Sequence, residues 1–390
     1  MAKKAIATAI KEEKASKKSR FGDDNTANQI YEKYGDVIKR GTDVLSNIKS
    51  LKVLSVSPLL DELLGGGLRE GTVVGLAGQP KCGKTTSMLH FVAKCQRDYP
   101  EKKIIYLNTE GRLNSQNFEG VRGLDPDRMI IIESSETRKL AGEDFLTIAS
   151  HYITLEPGSI IIIDSLSSLV PKEELEGALN ASTRNKLPRL LSQFFKKEGG
   201  NITNNRIILI CIAHQIADTG PSRRTKMTDC GNMLQYQVGT NIEITHTARW
   251  NTSTGKKKSG DDDESTDPDF GQRIYWKVLT SNLGGIPNTT TEGWLRYGIG
   301  IDEAKEVYEV AKQLALVKVN GAWFTIKALA QNPNEPCVKK YLDDNGITAR
   351  DEESLEKAFK FQGGEKVEAF LDKYPEFVEF LNDKIKELCA

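Results

Sequence analysis

The apolar positions of this chain change their spacing several times, and the changes divide it. Residues 1 to 20 carry seven basic and two acidic side chains among alanines and serines, which predicts a frayed helix or a solvated arm. Ile30, Tyr34, Val37 and Ile38 then recur at helical or near-helical spacing, a segment too short to bury a core of its own. An amphipathic turn and the break Gly65-Gly66-Gly67 lead into the apolar run Val73 to Ala77. From there the pattern alternates: strand-like Lys103 to Asn108, helix-like 114 to 122, strand-like Met129 to Ile132, helix-like 142 to 154, then Ile160 to Ile163 ending in Asp164. A run apolar at every position predicts a strand buried on both faces, and strands alternating with helices predict a parallel sheet with right-handed crossovers.

A helix at 182 to 198 and a strand at 206 to 213 continue this core, and β-rich stretches at 238 to 248, 272 to 280 and 293 to 297 predict hairpins that extend the sheet. Two polar segments interrupt it. One spans 216 to 231; the other, 251 to 271, holds three consecutive lysines and then Asp261 to Glu264, a composition that predicts a mobile surface loop. Beyond about residue 301 helical spacing returns near 303 to 315, 351 to 360 and 366 to 389, with a hairpin signal at Val319-Asn320-Gly321-Ala322. The reading is an α/β chain with a mainly parallel, doubly wound core over residues 51 to 300. An arm, helix and linker precede it at 1 to 50, and a smaller α+β domain follows at 301 to 390.

Composition narrows the class. With 390 residues and 38% apolar content the chain can bury a sizeable core. Its 54 basic residues balance 54 acidic ones, so a polyanionic partner must be held by segregated patches rather than by global charge. Six cysteines without C-x-x-C pairs and four scattered histidines argue against zinc and for a reducing compartment. No apolar run approaches a membrane span, so a cytoplasmic protein without membrane contact is expected.

Chemistry concentrates in one stretch. Gly78-Gln79-Pro80-Lys81-Cys82-Gly83-Lys84-Thr85 fits G-x-x-x-x-G-K-[ST] between a predicted strand and a helix that begins with Thr86. In that context glycines turn backbone N–H groups toward phosphate oxygens, Lys84 reaches the terminal phosphates and Thr85 ligates Mg²⁺; the other reading is a glycine-rich turn that binds nothing. Asp164, about 80 residues on, has the form of a Walker B aspartate that holds the Mg²⁺ shell, although any buried strand can end in Asp. Glu110 follows the strand Ile104 to Asn108, expected next to the loop strand, where a carboxylate could orient and deprotonate an attacking water; a surface glutamate is the alternative. Gln215, ending the 206 to 213 strand after His214, could sense a γ-phosphate or be a polar strand end.

From about residue 29 to 325 the chain resembles the bacterial RecA-type strand-exchange recombinases, a group with phage-encoded members. The resemblance is carried by IYEKYGDVIKRG, SVSPLLDELLGGGLREGTVVGLAGQPKCGKTT, IIIIDSLSSLVPKEELEG, HQIADTG with CGNMLQY, and GAWF at 321 to 324. Val170 to Gly177 is its most specific part, because other phosphate-loop proteins have no reason to share it.

The resemblance implies a RecA-like ATPase core, a short N-terminal polymerisation segment and ATP with Mg²⁺ as cofactors. It assigns Glu110, Lys84 and Gln215 to catalysis and to coupling ATP with DNA, and Phe118 to an adenine contact. Stretches 171 to 186 and 216 to 231 correspond to DNA-binding loops, which offer Lys172, Arg184 and Lys186, and Arg223, Arg224 and Lys226. The implied activity is homologous recombination and repair. A helical filament on single-stranded DNA pairs it with a homologous duplex and turns over by DNA-dependent ATP hydrolysis, with single-strand-binding and loading proteins as accessory partners. Family members place two lysines across the protomer boundary at the γ-phosphate, whereas the matching positions here are Ser281 and Leu283. A hexameric helicase-like DNA motor and a non-catalytic recombination mediator are the alternative readings.

Overall fold

A computed structural model describes residues 21–177, 186–216, 227–228, 237–250, 271–348 and 351–389. Contacts divide the chain between Lys52 and Val53 into two units. The first holds the helices Asn25–Tyr34 and Gly41–Lys49, joined through a short 3₁₀ turn. Asp24 caps the first by accepting from the Ala27 N–H at 2.9 Å. Neither helix buries a residue, and Ile30, Tyr34, Val44, Leu45 and Ile48 are exposed.

The second unit begins with an antiparallel ribbon, β1 (Val53–Leu54) and β2 (Leu68–Arg69), around the short helix Pro58–Leu64. The main sheet follows, built from β3 (Thr72–Gly78), β4 (Ile104–Asn108), β5 (Met129–Ile132), β6 (Ile160–Asp164), β7 (Ile208–Ile216), β8 (Met227–Thr228), β9 (Thr240–Trp250), β10 (Gly271–Thr280), β11 (Thr289–Arg296) and β12 (Gly300–Ile301). Its order is β12-β11-β10-β9-β3-β7-β6-β4-β5, with β8 paired to β7. Neighbours from β9 to β5 run parallel, whereas β10, β11 and β12 add an antiparallel extension, as the hairpin signals predicted.

The unbroken apolar runs resolve into two faces. Ile160 and Ile162, with Ile104, Tyr106, Ile208 and Ile210, enter one core with Met88, Phe91 and Val92 of the helix Lys84–Asp98. Ile161 and Ile163, with Ile105, Leu107 and Leu209, enter the opposite core with Phe145 and Leu146 of the helix Gly142–Leu155 and Phe194 and Phe195 of the helix Lys186–Asn204. Side chains alternate across a strand, so each residue of such a run meets a helix layer. Each buried isoleucine contributes roughly 1.5–3 kcal/mol on transfer from water.

The sheet order corrects one expectation. β4 does not neighbour β3, because β7 and β6 lie between them. Glu110 instead enters the site by following β4 past the end of β6: Asn108 pairs with Asp164, and the Thr109 N–H donates to the Asp164 carbonyl at 3.0 Å.

Residues 303 to 389 form a third core. The helix Glu303–Gln313 packs with the strands β13 (Val317–Asn320), β14 (Trp323–Ile326) and β15 (Lys360–Gln362) and with shorter helices. The predicted hairpin at Val319–Ala322 forms the β13–β14 turn. The helical stretch 366 to 389 is two helices, Gly364–Lys373 and Pro375–Cys389. Pro375 has no N–H and disfavours a helical conformation at Tyr374, which ends the first helix.

Candidate nucleotide site

The loop after β3 turns into the helix Lys84–Asp98 at Gly83, whose φ of 93° suits glycine. The Lys84 ammonium is buried and donates to the carbonyls of Gly78 at 3.0 Å and Gln79 at 2.8 Å, with the Cys82 sulfur at 3.9 Å. Pro80, Lys81, Gly83, Lys84, Thr85 and Thr86 line one end of a cavity of about 750 Å³. Gly78, Gln79 and Cys82 shape the loop behind that lining.

Also in the cavity's lining, at the carboxyl ends of β6 and β4, stand two carboxylates. Asp164 Oδ2 accepts from the Thr85 hydroxyl at 2.7 Å and from the Tyr106 hydroxyl at 2.6 Å. Burial raises the Asp164 pKa, against the lowering effect of those two donors. The Asp164–Ser165 peptide is cis. Glu110 Oε1 accepts from Ser165 Oγ at 2.9 Å and from His214 Nε2, while Arg112 stands 3.4 Å from its other oxygen. Burial opposes its charge, but the His214 and Ser165 hydrogen bonds outweigh it and hold this carboxyl below its ordinary range. Of the sequence candidates, Lys84, Thr85, Asp164 and Glu110 therefore meet at one cavity.

Gln215 follows His214 on β7. Its amide nitrogen donates to Glu243 Oε1 on β9 at 2.7 Å, and its buried carbonyl oxygen has no hydrogen-bond partner among the described residues. Phe118 packs its ring on the apolar core and does not line the cavity, although Asn117 and Glu119 do. Tyr297, more than half exposed, also lines the cavity, with Arg296 and Gly298.

The candidate nucleic-acid residues divide. Lys172, on the helix Lys172–Leu175, stands 3.8 Å from Glu176, and Lys186 is 2.7 Å from Glu173, both at the surface. Arg184, Arg223, Arg224 and Lys226 lie outside the described residues, as do the arm 1 to 20 and the segment 251 to 270. Ser281 donates to the Leu64 carbonyl at 2.6 Å and accepts from the Leu283 N–H at 3.2 Å, which closes the turn after β10.

Sequence reasoning missed Tyr106, His214, Arg296 and Tyr297. Tyr106 was legible as a strand residue but not as a donor to Asp164, because that contact crosses from β4 to β6. The same holds for His214, which reaches Glu110 from β7.

This geometry is paired with a family match. The model of the RecA N-terminal domain matches residues 24–262. The chain belongs to the RecA family. It is 28% identical over 326 residues to the protein RecA of Bifidobacterium breve, which covers 83% of this chain and 77% of that protein. The protein RecA of Lactobacillus delbrueckii subsp. bulgaricus is 27% identical over 319 residues, 81% of this chain and 89% of that protein. The protein RecA of Xylella fastidiosa is 27% identical over 332 residues, 84% and 88% respectively. The matches to these RecA proteins thus extend over most of both partners, well beyond the RecA N-terminal domain alone.

Proposed function

We propose that this RecA-family chain is an ATP-dependent homologous DNA recombinase. In this role it assembles as a helical filament on single-stranded DNA, pairs that strand with a homologous duplex and turns over by ATP hydrolysis. The observation that carries the reading is the hydrogen bond from Thr85 to Asp164, 2.7 Å long, in the lining of the cavity, in a chain with the RecA N-terminal domain. A phosphate loop alone serves kinases, transporters and motors alike; the family match decides among them.

Phosphates of ATP would lie on the loop Gly78 to Thr85, where loop N–H groups and the helix N-terminus face them. Lys84 would exchange its contacts with the Gly78 and Gln79 carbonyls for phosphate oxygens. The donor set fits Mg²⁺, which takes oxygen ligands, often one carboxylate with a hydroxyl and phosphates, so Thr85 and Asp164 would hold it. Bound there, Mg²⁺ would neutralise charge on the transferring phosphoryl group. Glu110 would orient the attacking water and accept its proton as an ionised carboxylate. His214 and Ser165 fix the carboxylate's direction.

Gln215 suits a relay between the cavity and the segment that follows it, since its carbonyl oxygen is unpartnered among the described residues while its nitrogen holds Glu243. In this reading Lys172, Arg184, Lys186, Arg223, Arg224 and Lys226 contact DNA phosphates. Residues 1 to 50 polymerise the filament, 51 to 300 form the ATPase core and 301 to 390 a smaller domain. Single-strand-binding and loading proteins complete the set of partners. Among the described residues Cys95 and Cys337 carry thiols outside any disulfide, which suits the cytoplasm, and none of the described helices is long and apolar enough to cross a membrane.

Electron microscopy of the full chain with single-stranded DNA and a non-hydrolysable ATP analogue tests this reading. Extended helical filaments are expected. Closed rings would replace it with a helicase-like motor, and unassembled protein with a mediator.

A further inference from the structure

Two parts of the cavity's lining converge on one carboxylate that lies outside it. Arg296, at the end of β11, lines the cavity and pairs with Asp372 Oδ2 at 2.9 Å and with Asp302 Oδ2 at 3.2 Å. Asp372 belongs to the last turn of the helix Gly364–Lys373, in the C-terminal core. A second part of the lining, Leu113, Gln116, Asn117, Glu119 and Gly120, runs on to Arg122. The Arg122 N–H donates to the Ile299 carbonyl at 3.0 Å, and its guanidinium stands 3.9 Å from Asp372 Oδ1. The two oxygens of Asp372 thus face different segments.

The chain from Arg296 to Asp302 has little freedom. A side chain at Gly300, where φ is 91°, would bring its Cβ to 2.9 Å from His90 Nδ1 on the helix Lys84–Asp98. Asp302 already caps the helix Glu303–Gln313 by accepting from the Lys305 N–H at 2.9 Å. Arg296 is therefore tied at once to its own chain segment, through Asp302, and to the C-terminal core, through Asp372. A guanidinium shared between two carboxylates and mostly withdrawn from water has a defined direction. Tyr297 and Gly298, the next two residues, inherit it. A nucleotide with its phosphates on the loop at Gly78 to Thr85 would leave its base and sugar to the rest of the lining, of which Tyr297 and Gly298 are part.

We infer that Asp372 is a positioning residue for nucleotide binding, which from the C-terminal core holds Arg296, and through it the Tyr297–Gly298 turn, against the base and sugar. The inference rests on reading the cavity as the ATP site. It makes the C-terminal core part of the affinity for ATP without placing any of its atoms on the nucleotide, and occupancy of the cavity and docking of the helix Gly364–Lys373 then support each other.

The test compares the full-length wild type with Asp372→Asn and Asp372→Glu. Binding of a fluorescent ATP analogue, competition by inorganic tripolyphosphate and steady-state ATPase on single-stranded DNA are measured for each. Asp372→Asn should raise Kd and KM about five- to ten-fold, with kcat at saturating ATP within about two-fold. Tripolyphosphate, which needs only the phosphate loop, should compete equally well with both proteins, and Asp372→Glu should recover most of the affinity. An unchanged Kd in Asp372→Asn overturns the inference, as does an equal loss of tripolyphosphate affinity, which would mark general damage. A wild type that binds no ATP analogue would instead overturn the nucleotide reading itself.

Discussion

Carboxyl groups withdrawn from water at the carboxyl edge of the parallel sheet and at the seam beneath the C-terminal core are satisfied by different mixtures of donors. At the sheet edge, Asp164 and Glu110 take hydrogen bonds from side chains: Thr85, Tyr106, Ser165 and His214. Both also border the cavity. At the seam, Glu306 is fully enclosed and accepts from the backbone N–H groups of Leu59 and Trp294, each at 3.3 Å. Asp61 accepts from the Val56 N–H at 2.8 Å and from the Ser55 hydroxyl. Backbone donors are fixed by the fold and cannot turn to a ligand. Hydroxyls and an imidazole beside a cavity can. Buried carboxyl groups thus mark both regions, while mobile donors with an opening to solvent mark the one proposed for the chemistry.

The largest effects should fall at the sheet edge. Lys84→Ala removes the cation from the phosphate loop and should weaken ATP binding at least about 100-fold, read by equilibrium binding. Glu110→Gln should lower kcat about 10²- to 10³-fold while ATP binding and filament formation on DNA stay near wild type. Rapid DNA-stimulated hydrolysis in Glu110→Gln would remove Glu110 from catalysis and leave its bonds to Ser165 and His214 as structure alone.

The seam should respond in stability and its pH dependence. Burial raises the Glu306 pKa to about 8, only partly opposed by its hydrogen bonds, and raises that of Asp61 to about 6. The folded chain therefore keeps protons that the unfolded chain loses near ordinary carboxyl values. The resulting stability is fully present below those values and is lost as pH rises through about 6 for Asp61 and about 8 for Glu306. Glu303 lies in the opposite direction: burial opposes its charge, but His90 and Lys94 outweigh that and hold it well below the ordinary range. Its share of stability is lost only in acid. Glu306→Gln should flatten the decline of unfolding free energy between pH 5 and 8 by up to about 1.4 kcal/mol per pH unit, read from denaturant midpoints. Glu110→Gln should leave that decline intact, since the Glu110 pKa is lowered. An identical slope in wild type and Glu306→Gln would mean that the seam is as open to water as the sheet edge.

How much of this was legible before the fold depended on the range of each contact. The phosphate loop, the four isoleucines before Asp164 and the alternation of strands and helices are local patterns, and each sits where its pattern placed it. Strand order is not local. Periodicity shows that Ile104 to Asn108 is a buried strand but not that β7 and β6 separate it from β3, so Glu110 was assigned to the right edge by the wrong neighbour. Contacts that cross the sheet, such as Tyr106 to Asp164 and His214 to Glu110, were invisible for the same reason. Pro375 is visible in the sequence, but apolar spacing continues on both sides of it and hides the break between the two helices. The link from Arg296 to Asp372 joins residues 76 positions apart, across two cores, and no pattern of either segment announces it.

The smallest effect is expected where the two kinds of satisfaction can be compared on one atom. Asp164 Oδ2 takes two hydroxyl donors, and the Tyr106 hydroxyl is kept protonated by burial and by the charge of Asp164, which together push its pKa well above the tyrosine range. Tyr106→Phe deletes that donor and leaves the ring in the core with Ile104 and Ile162. Loss of one hydrogen bond to a carboxylate is worth about 1–2 kcal/mol, so the ATPase rate should fall about five- to thirty-fold with the fold retained. Thr85→Ala acts on the same oxygen. A double-mutant cycle between Tyr106→Phe and Thr85→Ala, scored on stability without nucleotide, should therefore show coupling of about 0.5–1 kcal/mol, because either hydroxyl can turn to serve the carboxylate once the other is gone. Strict additivity would show two donors as rigid as the backbone N–H groups at Glu306, and donor mobility would then no longer separate the sheet edge from the seam.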